Sequence, residues 1–260
     1  MGNLFNKLEQ KLKIYFISDI HLGADIEKYP SDFREKLVAQ WLDEVKQDAS
    51  AIYLMGDIFD FWFEYKRVIP KGFTRFLGKV CEIADSGIPV YYFTGNHDIW
   101  TFGYLRDEIG LSVFHSPQII NINNKKLYIA HGDALGPYDK SYNFLKKIFT
   151  NKYYQFLFRI IHPDCGIKFA NSWSSSSRRR HKYPKTIIPD NEWLVKYAKT
   201  VLEKEHIDYF IFGHRHIPFQ YELKNNSIFT NLGDWINNFS YAVFDGDKLK
   251  MEYYPAKLNR

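Results

Sequence analysis

A chain of 260 residues, 45% hydrophobic and 25% charged, is long enough to bury one large core. The formal net charge of +5 suits an anionic substrate or an anionic membrane surface, and only two cysteines, Cys81 and Cys165, speak against a disulfide framework and for a reducing cytosol. Residues 1–13 mix Lys with Glu and carry no apolar core, so no signal peptide is expected; no run has the length of a membrane-spanning helix, so membrane contact would be peripheral.

Residues 13–17, Lys-Ile-Tyr-Phe-Ile, predict a buried strand, and Asp19-Ile20-His21 follows it. Asp32 is expected to cap the next helix with Glu35 as its capping-box partner, and Phe33, Leu37, Trp41, Leu42 and Val45 recur at helical spacing. Residues 51–55 predict a second strand ending at Gly56-Asp57-Ile58-Phe59-Asp60. Phe73, Phe76, Leu77, Val80 and Ala84 mark a second helix, stopped by Gly87, and residues 89–94 a third strand, followed by Gly95-Asn96-His97-Asp98. Such alternation implies βαβ units in a largely parallel sheet, whose ligands bind at the carboxyl edge.

The pattern then changes. Residues 119–122 and 127–130 flank Asn123-Asn124 as a hairpin, and the second run leads into His131-Gly132-Asp133. Tyr142, Leu145, Ile148 and Phe149 suit one helix, Tyr153, Phe156, Leu157, Ile160 and Ile161 another, and residues 192–205 a third. Residues 133–190 read as a helical cap inserted over the site within a single domain. Its Ser174-Ser175-Ser176-Ser177-Arg178-Arg179-Arg180-His181-Lys182 run is of a kind that ordinarily forms a solvated loop. Above a phosphate site, Arg178, Arg179, Arg180 and Lys182 could hold phosphate or meet anionic lipid. After Gly213-His214-Arg215-His216, residues 218–223, 228–232, 241–244 and 249–254 alternate with turns at Asn225-Asn226 and Asp245-Gly246-Asp247 and look antiparallel. Two packed sheets with helices outside are predicted.

Carboxylate, imidazole and one amide at strand ends form a donor set for two divalent ions about 3.5–4 Å apart, which together bind phosphate, activate water and stabilise a phosphoryl transition state. Asp19 and His21 can turn toward one ion. Asp57 can bridge both, Asn96 offers a neutral oxygen, and His131, His214 and His216 supply imidazoles. His97, beside Asn96 and with its ring expected to be held by Asp98, is placed to stabilise phosphoryl charge or protonate a leaving group. Asp60 and Asp133 are expected to orient ligand imidazoles. His115, His162, His181 and His206 match no block and read as surface or satisfied histidines.

These five blocks, in this order, resemble the calcineurin-like metallophosphoesterase superfamily. Within it, the chain is similar to the lipid A pathway pyrophosphatases, through Gly56-Asp57-Ile58-Phe59-Asp60-Phe61-Trp62 and His131-Gly132-Asp133-Ala134-Leu135 followed by Asp139 and Tyr142. The best-known branch carries Arg where His97 stands and Glu where Asp60 stands. The resemblance implies a four-layer α/β/β/α sandwich with a helical cap insertion. It assigns Asp19, His21, Asp57 and His216 to one metal and Asp57, Asn96, His131 and His214 to the other, with manganese as the usual ion and iron or zinc as alternatives. It implies cleavage of UDP-2,3-diacylglucosamine to UMP and 2,3-diacylglucosamine 1-phosphate by a cytoplasmic enzyme peripheral to the inner membrane. Asp139 and Tyr142 would contact this UDP-linked glycolipid, and Phe144, Leu145, Phe156, Phe158 and Trp173 its acyl chains. No nucleic-acid partner is expected, since the chain has no evident DNA-binding appendage. The rival readings are a soluble nucleotide or nucleic-acid phosphodiesterase and a scaffold without activity; the full ligand set argues against the latter.

Overall fold

The computed structural model describes residues 13–137, 140–180 and 187–258. Strand β1 (Lys13–Ile17) lies beside β2 (Ala49–Leu54), followed outward by β3 (Val90–Phe93) and β4 (Ser112–Phe114), all parallel. On the other side of β1, β10 (Ser240–Phe244) and β11 (Leu249–Tyr253) run antiparallel, which gives the order β11-β10-β1-β2-β3-β4. The second sheet contains β5 (Gln118–Ile122), β6 (Lys125–Ile129), β7 (Tyr209–Phe212), β8 (Pro218–Glu222) and β9 (Ile228–Leu232), in the order β5-β6-β7-β9-β8. Its two outer pairs are antiparallel hairpins, and the first turns at Asn123 and Asn124, both in the left-handed region at φ 48° and 62°.

Side chains alternate across each strand, and this alternation builds the layers. Ile14 and Phe16 point between the sheets, where they meet Tyr53, Phe93, Leu127, Ile129, Ile211 and Phe244. Tyr15 and Ile17 point the other way, onto Leu37, Val38 and Trp41 of α1 (Ser31–Val45) and Phe76 and Val80 of α2 (Thr74–Asp85). The outer face of the second sheet, Tyr128, Phe210, Phe212 and Phe229, is covered by Leu194, Val195 and Ala198 of α7 (Trp193–Leu202). The result is the expected α/β/β/α sandwich.

A short helix α3 (Tyr104–Asp107) precedes β4. Between β6 and α7 stand α4 (Lys140–Thr150), α5 (Lys152–Ile160) and α6 (Pro163–Arg180). The sequence predicts the first two and misses α6, whose last turns contain the Ser/Arg run read as a loop. Phe144, Tyr153, Phe156, Ile160, Phe169 and Trp173 on these helices are more than half exposed, whereas Phe158 packs among Phe61, Phe63 and Trp100. Among the described residues no helix is long and apolar enough to cross a membrane.

The capping box is not formed. The side chains of α1 make no N-terminal cap bond, and the buried Glu35 instead accepts from the backbone N–H groups of Arg75 (2.7 Å) and Phe76 (3.2 Å), at the start of α2. A carboxylate at a helix N-terminus satisfies orphan donors and meets the positive end of the dipole; here it does so for the neighbouring helix.

Candidate metal centre

The five motifs converge at the carboxyl edge of the two sheets. Asp19, His21, Asp57, His214 and His216 all hold positive φ, between 49° and 67°. Non-glycine residues adopt this region at a cost, and such strain collects at functional sites. The turns are also crowded. A Cβ on Gly213 would overlap Ser18 Oγ and lie 2.5 Å from Asp19 Oδ2, so the fifth motif can approach the first only with glycine there.

Asp19, His21, Asp57 and His131 each have one atom tied and another turned inward. Asp19 Oδ2 accepts from Ser18 Oγ (2.6 Å) and the His214 N–H (2.9 Å), leaving Oδ1 inward, 3.3 Å from His216 Nε2 and 3.8 Å from His21 Nε2. His21 Nδ1 lies 3.0 Å from Asp60 Oδ1, which fixes the ring. Asp57 Oδ1 accepts from the His97 N–H (2.8 Å); its Oδ2 stands 3.7 Å from His21 Nε2 and 3.4 Å from His131 Nε2. His131 Nδ1 donates to the Met55 carbonyl at 2.8 Å. Two ligand-spaced groups result, Asp19/His21/His216 and Asp57/His131/His214. A third group, His21/Asp60/His97, is accounted for by hydrogen bonds around Asp60.

Four buried atoms of the set, Asp19 Oδ1, His21 Nε2, Asn96 Oδ1 and His131 Nε2, have no hydrogen-bond partner. Each unpaired buried polar atom costs about 1–3 kcal/mol. Oxygen and imidazole lone pairs orphaned in this arrangement fit divalent cations.

Electrostatics agree. Burial opposes charging the His21 imidazole, yet the neighbouring Asp19, Asp60 and Asp57 carboxylates raise it to about 10. His131 rises against burial to about 10, chiefly through Asp57, and Asp57 is held well below the carboxylate range, against burial, chiefly by His131. Without cations the carboxylates hold protons on the imidazoles instead. Histidine values raised above about 6.5 contribute stability that is complete below that pH and lost as pH rises through about 10. Metal-stripped protein should therefore lose thermal stability from pH 7 to 10, while metal-loaded protein, with neutral imidazoles already engaged, changes less. Melting curves of both forms across this range check it; parallel curves would contradict it.

His97 and Asp98 depart from expectation. Asp98 does not hold the His97 ring. Its carboxylate accepts from the N–H groups of Gly95 (2.7 Å) and Ile58 (2.8 Å) and from the Tyr92 hydroxyl (2.5 Å), tying the second and third motifs together. The His97 ring is held instead by the Asp60 carbonyl, 2.9 Å from Nδ1, and by Ser174. Burial pushes His97 below its ordinary value, so it rests as a neutral imidazole. Asp133 also differs: its Oδ2 accepts from Lys146 Nζ (2.7 Å), and it acts on His131 and His214 by charge rather than by a hydrogen bond. Tyr142 lies half-buried on α4, and Asp139 and the side chains of Arg178, Arg179 and Arg180 lie outside the described residues. His115, His162 and His206 stay outside the cluster, beside Thr94, Asp164 and Asp208 respectively.

Sequence reasoning missed Asp234, whose Oδ2 lies 3.5 Å from His216 Nδ1 while its Oδ1 accepts from the N–H groups of Ile236, Asn237 and Asn238. The signal was present, since Gly233-Asp234 follows an apolar strand just as Gly56-Asp57 does. A cavity of about 550 Å³ adjoins His131 and Asp133 and is lined further by Thr94, His115, Lys146 and Lys147.

The chain is 39% identical over 254 residues to a UDP-2,3-diacylglucosamine hydrolase from Porphyromonas gingivalis, across 92% of this chain and 97% of that one. It is 25% identical to a protein of the same description from a Shewanella species, across 94% and 98% of the two chains. A dimetal phosphatase from Danio rerio superposes with a TM-score of 0.49 at 14% identity, across 93% of this chain and 95% of that one. The calcineurin-like phosphoesterase family model matches residues 12–218 and so takes in all five motifs, and with them this chain belongs to that family of metal-dependent hydrolases.

Proposed function

We propose that this chain cleaves the pyrophosphate bond of UDP-2,3-diacylglucosamine, giving UMP and 2,3-diacylglucosamine 1-phosphate. The observation that carries the reading is the 39% identity to the Porphyromonas protein. At 92% coverage the match cannot leave out the segment between His131 and His214, where substrate choice within such a fold would reside. The exposed aromatic and aliphatic side chains of α4–α6 support it, since apolar surface of this extent marks a binding face. Residues 133–190 then act as a cap that takes the acyl chains, with Phe144, Phe156 and Trp173 as contacts and Phe158 as an anchor of the cap rather than a chain contact.

In this reading Asp19, His21, Asp57 and His216 hold one divalent ion and Asp57, Asn96, His131 and His214 the second, with manganese the preferred metal. Bound there, the ions would supply positive charge to the phosphoryl oxygens and acidify the attacking water. The chain's own contribution is order. Asp60, Met55 and Asp234 aim the imidazoles, and Asp57 holds the two halves of the site together. His97, held at Nδ1, acts on the phosphoryl group once Nε2 takes a proton. The cavity beside His131, with Lys146 and Lys147, suits the anionic nucleotide half. The cap's apolar face and the net charge of +5 support peripheral seating on an anionic cytoplasmic leaflet.

The test is UMP release from UDP-2,3-diacylglucosamine by metal-stripped protein reconstituted with Mn²⁺, Fe²⁺ or Zn²⁺, run in ¹⁸O-water. Label in UMP, loss of turnover on chelation, and slower turnover of water-soluble diesters are expected. Turnover of soluble diesters or dinucleotides without UMP release would replace this reading with the soluble phosphodiesterase.

A further inference from the structure

Helix α6 reaches the metal-centre side chains through Ser174. Gly166, Ala170 and Ser174 recur every four residues on the face of α6 turned to the body of the protein. At Gly166 a Cβ would lie 2.6 Å from the Tyr65 hydroxyl, so the helix sits close there. Two turns on, Ser174 is 3% exposed, while the adjacent Trp173 is 55% exposed. Ser174 Oγ is 3.0 Å from Asp60 Oδ1 and 3.3 Å from His97 Nδ1.

The acceptors fix the proton pattern. The Asp60 carbonyl, 2.9 Å from His97 Nδ1, can only accept, so Nδ1 carries a hydrogen. Ser174 therefore accepts from His97 and spends its own hydroxyl hydrogen on Asp60 Oδ1. That same oxygen takes the His21 Nδ1 hydrogen at 3.0 Å. One hydroxyl thus links α6 both to the carboxylate that aims His21 and to the ring of His97, and it leaves Nε2 of His97 as the ring's open nitrogen.

We propose that Ser174 is a positioning residue that seats α6 on Asp60 and His97, so that the His97 ring is correctly held only while α6 is docked. The cap thereby reports its own closure to the reacting centre through a neutral hydroxyl. This rests on the reading of His97 as the group facing the phosphoryl oxygens, and not on the identity of the lipid substrate.

The experiment is a double-mutant cycle of Ser174→Ala and His97→Ala on the metal-loaded protein, with bis(p-nitrophenyl) phosphate, a diester that needs no cap contacts. Amide exchange of residues 163–180 is measured in parallel. Ser174→Ala should lower kcat about 10–100-fold with KM changed less than about 3-fold, the range for residues that orient a site group. In the His97→Ala background it should cost less than about 2-fold, because the group it acts through is gone. Exchange in residues 163–180 should quicken in Ser174→Ala, with metal content unchanged. An equal loss in both backgrounds, no loss, or unchanged exchange overturns the proposal. Failure of wild-type protein on UDP-2,3-diacylglucosamine together with a coupled cycle on the diester would remove the substrate reading and leave Ser174 in place.

Discussion

Asp57→Asn should leave a folded protein that binds at most one divalent ion per chain and has lost phosphoester turnover by at least on the order of 10³-fold. Asp57 is 1% exposed, and its two oxygens do different work. Oδ1 accepts the His97 N–H and so shapes the third motif, a role that an amide oxygen keeps. Oδ2 faces His21 Nε2 and His131 Nε2 at 3.7 and 3.4 Å, between the two ligand groups. In asparagine that position becomes an NH₂ donor without charge, which points hydrogens where cations are needed. The side chain keeps its volume, so packing is spared and the loss falls on metal and turnover. Metal analysis, turnover of a soluble diester and a melting curve on the same sample separate these effects. Full metal occupancy with turnover within about tenfold of wild type would show that Asp57 does not join the two sites.

The sandwich and the gathering of the five motifs at one edge were legible because both follow from local pattern. Period-2 apolar runs name strands, and polar residues just beyond them fall at one sheet edge whatever the strand order. The strand order itself was not legible. β10 returns beside β1, and β9 inserts between β7 and β8, through pairings that no local pattern records. Two of the failures share one cause, which is that sequence neighbours were assumed to be partners. Glu35 was assigned to its own helix and serves α2. Asp98 was assigned to adjacent His97, but the turn sends its carboxylate to Gly95, Ile58 and Tyr92. Residues 174–180 look like a loop because serine is a modest helix former, and α6 persists there through tertiary contacts such as that of Ser174.

Arg34, which no sequence motif singles out, carries the largest predicted stability effect. It is fully buried on α1. Its Nε donates to the Ile20 carbonyl (3.1 Å), one terminal nitrogen to the carbonyls of His21 (2.7 Å) and Ala24 (3.1 Å), and the other to that of Tyr29. These carbonyls belong to the loop that holds Asp19 and His21 at positive φ, a conformation that needs outside support. Only the guanidinium fork has donors enough, fixed in a plane, to serve several carbonyls at once. Arg34→Met keeps the length of the side chain and removes every donor. Unpaired buried carbonyls cost about 1–3 kcal/mol each, so losing two or more should destabilise by on the order of 4 kcal/mol and lower Tm by about 10 °C. Arg34→Lys, with fewer donors diverging from one point, should fall between the two. Because the freed loop carries two ligands of one candidate ion, the Met variant should also bind metal more weakly, in step with its loss of stability. A Tm within about 2 °C of wild type would mean that the loop is held without Arg34; a fall in Tm with metal binding unchanged would mean that Arg34 supports the fold but not the geometry of Asp19 and His21.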